Sequence, residues 1–287
     1  MLLLTGATGT VGREVLRQLP PDAPVRVLAR DPAKVTETAP TVEAVAGDYE
    51  EPRSLERALA GVRTAFLVTT GIGRDHDARF LEAAKLAGVR RVVKLSAAAV
   101  LDPQADDLIT RWQRTNEDLL RVSGLEWTLL RPRSFMSNTL SWARSVREEG
   151  VVRGLYGTSA NACVDPRDVA AVAVHALTEE GHGGRAYTLT GPEAISAAEQ
   201  TRQLGRLLGV PLRFEELNRD QARAGLGGRY PEPVVEALLA SADRLSAGAK
   251  AHVEDTVGEV TGRPAGTFRD WAADHLAAFT LDAGAPG

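Results

Sequence analysis

Gly6, Gly9 and Gly12 stand three residues apart in Thr5-Gly-Ala-Thr-Gly-Thr-Val-Gly12, directly after the apolar run Leu2 to Leu4. This spacing suits the binding of a pyrophosphate: a tight turn aims backbone N–H groups and a helix start at the anion. Gly6 permits the turn, Gly9 lets the phosphate approach, and Gly12 lets helix and strand pack closely. Thr8, Thr10 and Val11 share the turn and the first helical residues, so they join the glycines as cofactor-binding candidates. The alternative is a glycine turn without a ligand. The strand before it and the amphipathic run Arg13 to Leu19 after it argue for the phosphate.

A dinucleotide fold selects its cofactor about 20 residues after the glycines, where an acid accepts the ribose 2′-hydroxyl of NAD. Here the second strand, Val25 to Ala29, ends in Arg30, with Lys34 four residues on. Two cations suit a 2′-phosphate, which Arg holds bidentately, so the expected cofactor is NADP(H). Asp31 reads as a cap before Pro32 at the first helical position. A solvated basic loop is the alternative, more so for Lys34 than for Arg30.

The elements that position these residues alternate regularly. Strands at Val42 to Ala46, Thr64 to Thr70, Val92 to Ser96 and Trp127 to Arg131 are separated by helices at Arg53 to Ala60, Asp77 to Ala87 and Thr110 to Val122. That rhythm implies parallel βαβ units with right-handed crossovers, an α/β Rossmann-like doubly wound sheet. The carboxyl ends of such strands line the ligand crevice. Asp48 and Tyr49 are therefore adenine-side candidates, and Thr69, Thr70 and Gly71 belong beneath the dinucleotide. Further on, Ser137 to Glu149 reads as a helix and Val151 to Tyr156 as a strand. Asp165-Pro-Arg-Asp168 opens a helix, and Tyr187 to Thr190 is a strand after which the alternation stops. The expected division is a dinucleotide-binding domain over 1–190 and a smaller, mainly helical C-terminal lobe over 191–287. The tail after Phe279 is expected to fray.

Composition excludes several classes. A net charge of −4 gives no reason to expect nucleic acid or anionic membrane as a partner. Cys163 is the only cysteine, which rules out an intramolecular disulfide and a cysteine-rich metal site, and the histidines lack ligand spacing. No apolar run approaches the ~18 residues of a membrane span, and the opening leucines lack a basic segment before them. A cytoplasmic protein acting on a small molecule, with no metal, is the expectation; the oligomeric state is open.

The chain resembles the NmrA-like group of atypical short-chain dehydrogenases/reductases. The marks are Thr5 to Gly12, Val25-Arg-Val-Leu-Ala-Arg-Asp-Pro-Ala-Lys34, Lys94-Leu-Ser-Ala97, Ser123 to Pro132, Phe135-Met-Ser-Asn138, Asp165 to Ala170 and Tyr187 to Pro192. The resemblance implies the fold and NAD(P) binding but no single reaction, since similar proteins include quinone and other small-molecule reductases and redox-sensing regulators. It also implies a Tyr-x-x-x-Lys pair, in which Lys lowers the pKa of a Tyr acid/base. That pair is absent. No lysine lies between Lys94 and Lys250, and counting back from Glu117 puts Ile109 in the Tyr place and Gln113 in the Lys place. Ser96 keeps the superfamily's serine position at the end of strand five and is the catalytic candidate, against a strand-end cap.

Trp112, Gln113, Phe135, Met136, Asn138 and Tyr156 are candidates for a substrate pocket, with packing as the alternative for each. His76 reads as a surface residue. The leading expectation is an NADPH-dependent oxidoreductase reducing a small quinone, enone or carbonyl compound, because such acceptors need less from a protein acid. The alternatives are an NADP(H)-sensing regulatory protein without turnover and, behind it, a non-redox isomerase or cyclase.

Overall fold

The computed structural model describes residues 1–35 and 41–280, so the expectation of a frayed tail falls largely on residues outside the described ones. In chain order, β1 (Leu2–Thr5), α1 (Thr10–Gln18), β2 (Val25–Ala29) and β3 (Val42–Ala46) are followed by α2 (Pro52–Leu59), β4 (Thr64–Leu67) and α3 (His76–Leu86). Next come β5 (Arg91–Leu95), α4 (Leu108–Val122), β6 (Glu126–Pro132), α5 (Ala143–Glu149), β7 (Val151–Gly154), β8 (Ala160–Asn161) and α6 (Pro166–Thr178). The rest is β9 (Arg185–Leu189), β10 (Ile195–Ser196), α7 (Ala197–Leu208), β11 (Arg213–Glu216), α8 (Arg219–Gly227), α9 (Glu232–Ser246), α10 (Thr256–Thr261) and α11 (Phe268–Asp274).

Among the described residues, 1–35, 41–132, 166–189 and 256–263 form one compact unit. Its seven-stranded sheet is parallel throughout, in the order β3-β2-β1-β4-β5-β6-β9. This is the doubly wound Rossmann-like arrangement, and the strand order reverses direction between β1 and β4. Leu3, Leu4, Phe66, Phe80, Val92 and Leu129 are fully buried on its two faces. The last strand of the sheet is β9, which the sequence presents as the point where alternation ends.

The other unit takes, among the described residues, 133–165, 190–255 and 264–280. It holds two small sheets, β7 with β11 and β8 with β10. Its apolar centre includes Met136, Val152, Leu204, Phe268 and Trp271. The single boundary expected at 190/191 is thus one of several, and residues 133–165 belong with the second unit.

Two element ends differ from expectation for local reasons. Strand four stops at Leu67 because the Val68 N–H is taken by Thr5 Oγ1 at 2.8 Å, and the Val68 carbonyl accepts from Tyr49 at 2.9 Å. The helix expected over Ser137 to Glu149 begins as a 3₁₀ turn, Met136–Trp142, before α5. Thr139, Ser141 and Ser145 each donate to the carbonyl three residues back, which competes with the regular helical bonds. No helix among the described residues is long and apolar enough to cross a membrane.

Candidate functional site

The carboxyl ends of β1, β2, β3 and β4 surround a cleft of about 830 Å³ at the reversal of strand order. Its floor is the glycine turn. Gly6 has φ +66°, a conformation that favours glycine, and a Cβ there would meet Val68 at 2.9 Å. At Gly12 a Cβ would lie 2.2 Å from the Gly6 carbonyl oxygen, so helix and strand close up only around glycine. Gly9 is different. It caps α1 in an extended conformation, with no side chain on the helix's first N–H groups and no acid in the first turn. A Cβ at Gly9 would meet only the Gly6 carbonyl oxygen, at 3.2 Å. The start of α1 thus stands open at the cleft floor, without a side-chain cap.

Arg30 and Lys34 both line the cleft. Lys34 stands 3.7 Å from Asp31, and both side chains are exposed. Arg30 has no ion pair among the described residues, so its guanidinium is available to a ligand. Asp31 does cap the short 3₁₀ turn after β2, accepting from the Ala33 N–H at 3.2 Å.

The opposite wall carries Asp48, Tyr49, Thr70 and Gly71, along with Arg74 and His76. Burial raises the Tyr49 phenol well above its ordinary range, and the charges of Asp77 and Asp48 act the same way, against a hydrogen bond with Thr5. Tyr49 is thus a neutral aromatic wall, with its hydroxyl on the Val68 carbonyl. His76, expected at the surface, stacks on Tyr49 with ring centroids 5.0 Å apart, and its side chain is only 16% exposed. Its Nε2 lies 3.1 Å from Glu50. That contact, followed by Arg74 and Arg79, holds the Glu50 carboxyl below the usual range. No sequence signal marks His76 or Arg74, because both depend on how the loop after β4 folds back.

Of the remaining cofactor candidates, Thr8 lines the cleft, while Thr10, Val11 and Gly12 form the first turn of α1. Thr69 turns inward: it is 8% exposed and its hydroxyl donates to Asp77 Oδ2 at 2.6 Å. Asp77 is ion-paired with Lys94, and both side chains are fully buried. The signal for this pair was a lone lysine inside the apolar strand Val92 to Leu95, where a charge needs a partner.

Ser96 is 5% exposed and donates to Glu117 Oε1 at 2.6 Å. Arg131 forks onto the same carboxylate, at 2.9 Å and 2.5 Å, and Arg121 adds a contact of 2.8 Å. Burial alone would raise the Glu117 carboxyl. The hydrogen bonds from Arg131 and Ser96 and the two guanidinium charges outweigh it, so the carboxylate is held ionised. The Ser96 hydrogen is therefore committed to an anion within a framework joining β5, α4 and β6.

The pocket candidates divide between the units. Met136 is 1% exposed within an apolar cluster with Phe268 and Trp271, and it is a core side chain. Phe135 precedes it and bridges to Val164, and Asn138 is exposed. Tyr156, at φ +55°, donates to Asp243 at 2.7 Å. Trp112 and Gln113 lie on α4, and each has a buried polar atom with no hydrogen-bond partner.

The family described as NAD(P)H-binding matches residues 6–180. The (4-alkanoyl-5-oxo-2,5-dihydrofuran-3-yl)methyl phosphate reductase of Streptomyces griseus is 58% identical over 279 residues, covering 97% of this chain and 99% of its own. The NAD(P)H azoreductase of Xenophilus azovorans is 40% identical over 289 residues, covering 97% and 99%. The structure of an NADPH-dependent quinone oxidoreductase of Escherichia coli complexed with NADPH is similar at a TM-score of 0.84 and 26% identity, covering 96% and 100%.

Proposed function

The chain belongs to the NAD(P)H-binding family, as an NADP(H)-dependent oxidoreductase of small compounds with the NmrA-like fold, and from that premise we propose that it reduces a conjugated carbon–carbon double bond in an acyl-substituted unsaturated lactone. One observation carries this choice among the quinone, enone and carbonyl classes. The Streptomyces griseus relative, at 58% identity, is named for a dihydrofuran ring bearing both an oxo and an alkanoyl group. A ring double bond conjugated to two carbonyls accepts hydride readily.

The residues present fit the cofactor. The first turn of α1 and the Gly6 to Gly9 loop would hold the pyrophosphate, Arg30 the 2′-phosphate with Lys34 at the rim, and Tyr49 with Asp48 the adenosine side. When bound, NADPH supplies the hydride. Reducing an isolated ketone puts charge on one oxygen and calls for a nearby acid, which the missing Tyr-x-x-x-Lys pair would have supplied. Hydride addition to an acyl lactone leaves charge spread over two carbonyls, and water can protonate it. The test is NADPH consumption by the pure protein against acyl butenolides, quinones and simple aldehydes. Fastest turnover is expected with the butenolides; equal or faster turnover of aldehydes would remove the proposal.

Two variants bear on the same reading. Arg30→Ala should weaken NADPH about ten- to a hundredfold, the span of one charge-assisted hydrogen bond, while NADH binding barely changes. Calorimetric titration of both cofactors decides it, and equal losses would end the 2′-phosphate role. Ser96→Ala is expected to slow turnover less than about tenfold, because its hydrogen is already held by Glu117. A loss of ~10²–10⁴ would instead restore Ser96 as the acid.

A further inference from the structure

The helix α4 carries a stripe of polar side chains whose bonding is incomplete. The Trp112 Nε1–H, Gln113 Oε1 and Asn116 Nδ2–H are sealed from solvent and have no hydrogen-bond partner. Asn116 itself is only 3% exposed. Buried polar groups are almost always paired, so three orphans within five residues call for a missing partner. Trp112 and Asn116 stand four apart on α4, so both donors rise from the same face of the helix.

The position is informative. Asn116 precedes Glu117, which is bonded to Ser96 at the carboxyl end of β5, the side of the sheet where ligands bind. Ser96, Arg131 and Arg121 all grip Glu117, so this stretch of helix is fixed in place. The two guanidiniums also offset the Glu117 charge beside the donors.

We propose that Trp112 Nε1–H and Asn116 Nδ2–H form an oxyanion-binding pair that holds the acceptor's carbonyl oxygen as it becomes negative. This rests on the reductase reading above and gives the charge a place without a protein acid. In the step, a hydride from NADPH forms the C–H bond at the β-carbon, and NADPH leaves as NADP⁺. The double-bond pair shifts to place an enolate charge on the carbonyl oxygen, where the two N–H groups meet it. A proton from water then bonds to the α-carbon, leaving hydroxide. Fixed donors of this kind act in the transition state more than on the ground state.

The test uses the full chain with two variants. Asn116→Asp keeps the shape but replaces the donor with a charge of the wrong sign, and Trp112→Phe keeps a ring but removes the N–H. Each is expected to lower kcat on an acyl butenolide by ~10²-fold, the effect of losing one oxyanion donor, with KM and NADPH affinity nearly unchanged; Trp112→Phe should also keep its melting temperature, whereas Asn116→Asp, which buries a charge beside Glu117, should lower it. The second readout needs no turnover. With NADP⁺ present, 4-nitrophenol should bind the wild type as its yellow phenolate, and both variants should lose at least about tenfold in that affinity. If Asn116→Asp does not fold, Trp112→Phe carries both measurements. Unchanged kcat in the variants overturns the pair. So does phenolate binding that is absent in the wild type or equal in all three proteins. If the wild type reduces no butenolide, the reductase reading fails by itself and the phenolate titration still decides the pair.

Discussion

Gly9→Val is expected to give a folded protein that has lost NADPH binding. The backbone at Gly9, φ −92° and ψ 178°, is extended and open to a β-branched residue, so the substitution adds no torsional strain. A Cβ would meet only the Gly6 carbonyl oxygen at 3.2 Å, a contact relieved by a few tenths of an ångström. The side chain would instead stand over the uncapped N–H groups at the start of α1. Losing two charge-assisted hydrogen bonds at about 1.5–3 kcal/mol each weakens NADPH at least ~10²-fold. Gly12→Val is the contrasting case: its Cβ would lie 2.2 Å from the Gly6 carbonyl oxygen and 2.6 Å from its carbon, and backbone on both sides must move. That variant should lose stability together with binding. Circular dichroism and a binding titration on the two proteins separate the roles, and normal NADPH affinity in folded Gly9→Val would reduce the glycines to turn-formers.

The cleft was legible in the sequence because its parts are local. The glycine turn, Arg30 after β2 and Asp48-Tyr49 after β3 each sit at the end of a short apolar run bounded by Pro or Gly. Strand ends in a parallel sheet share one edge, so reading the runs also places the residues. The strands Val25–Ala29 and Val42–Ala46 have the bounds their composition implies. Other features depend on pairing across the fold. His76 stacks on Tyr49 only because the loop after β4 turns back to it, and no spacing in the chain encodes that. The end of β4 moved because Thr5 and Tyr49 side chains, distant in sequence, satisfy Val68. The boundary at 190 was read from the end of alternation, whereas β9 completes the sheet and residues 133–165 fold with later segments. Asn218 and Gln221 form a reciprocal capping box at the start of α8, a local signature of Asn-x-x-Gln.

The buried pair between Lys94 and Asp77 should yield the largest stability effect. Lys94 sits inside β5 and Asp77 in the first turn of α3, and neither side chain has any exposure. Thr69, two residues past β4, donates to the second carboxylate oxygen, so the group ties the segment after β4 to β5 and α3 beneath the cleft wall. Removing one partner leaves a charge with no water and no counter-charge. Lys94→Met should therefore cost about 3–5 kcal/mol, a large share of the ~5–15 kcal/mol that holds a typical domain. Removing both should cost far less, since apolar replacements of buried pairs are often neutral or stabilising by about 1–4 kcal/mol. Lys94→Met combined with Asp77→Leu is expected to recover most of the loss, leaving chiefly the unpaired Thr69 hydroxyl. Denaturant unfolding of wild type, both single variants and the double gives the coupling energy directly. Simple addition of the two single losses would show that the charges are not a pair in solution. The NADPH affinity of the double variant carries the second half of the argument. Thr70, Gly71, Arg74 and His76 lie between Thr69 and Asp77 in the chain and line the cleft. A stable double variant with weakened NADPH would mean that the pair serves to hold this wall in place, while unchanged affinity would confine it to the core.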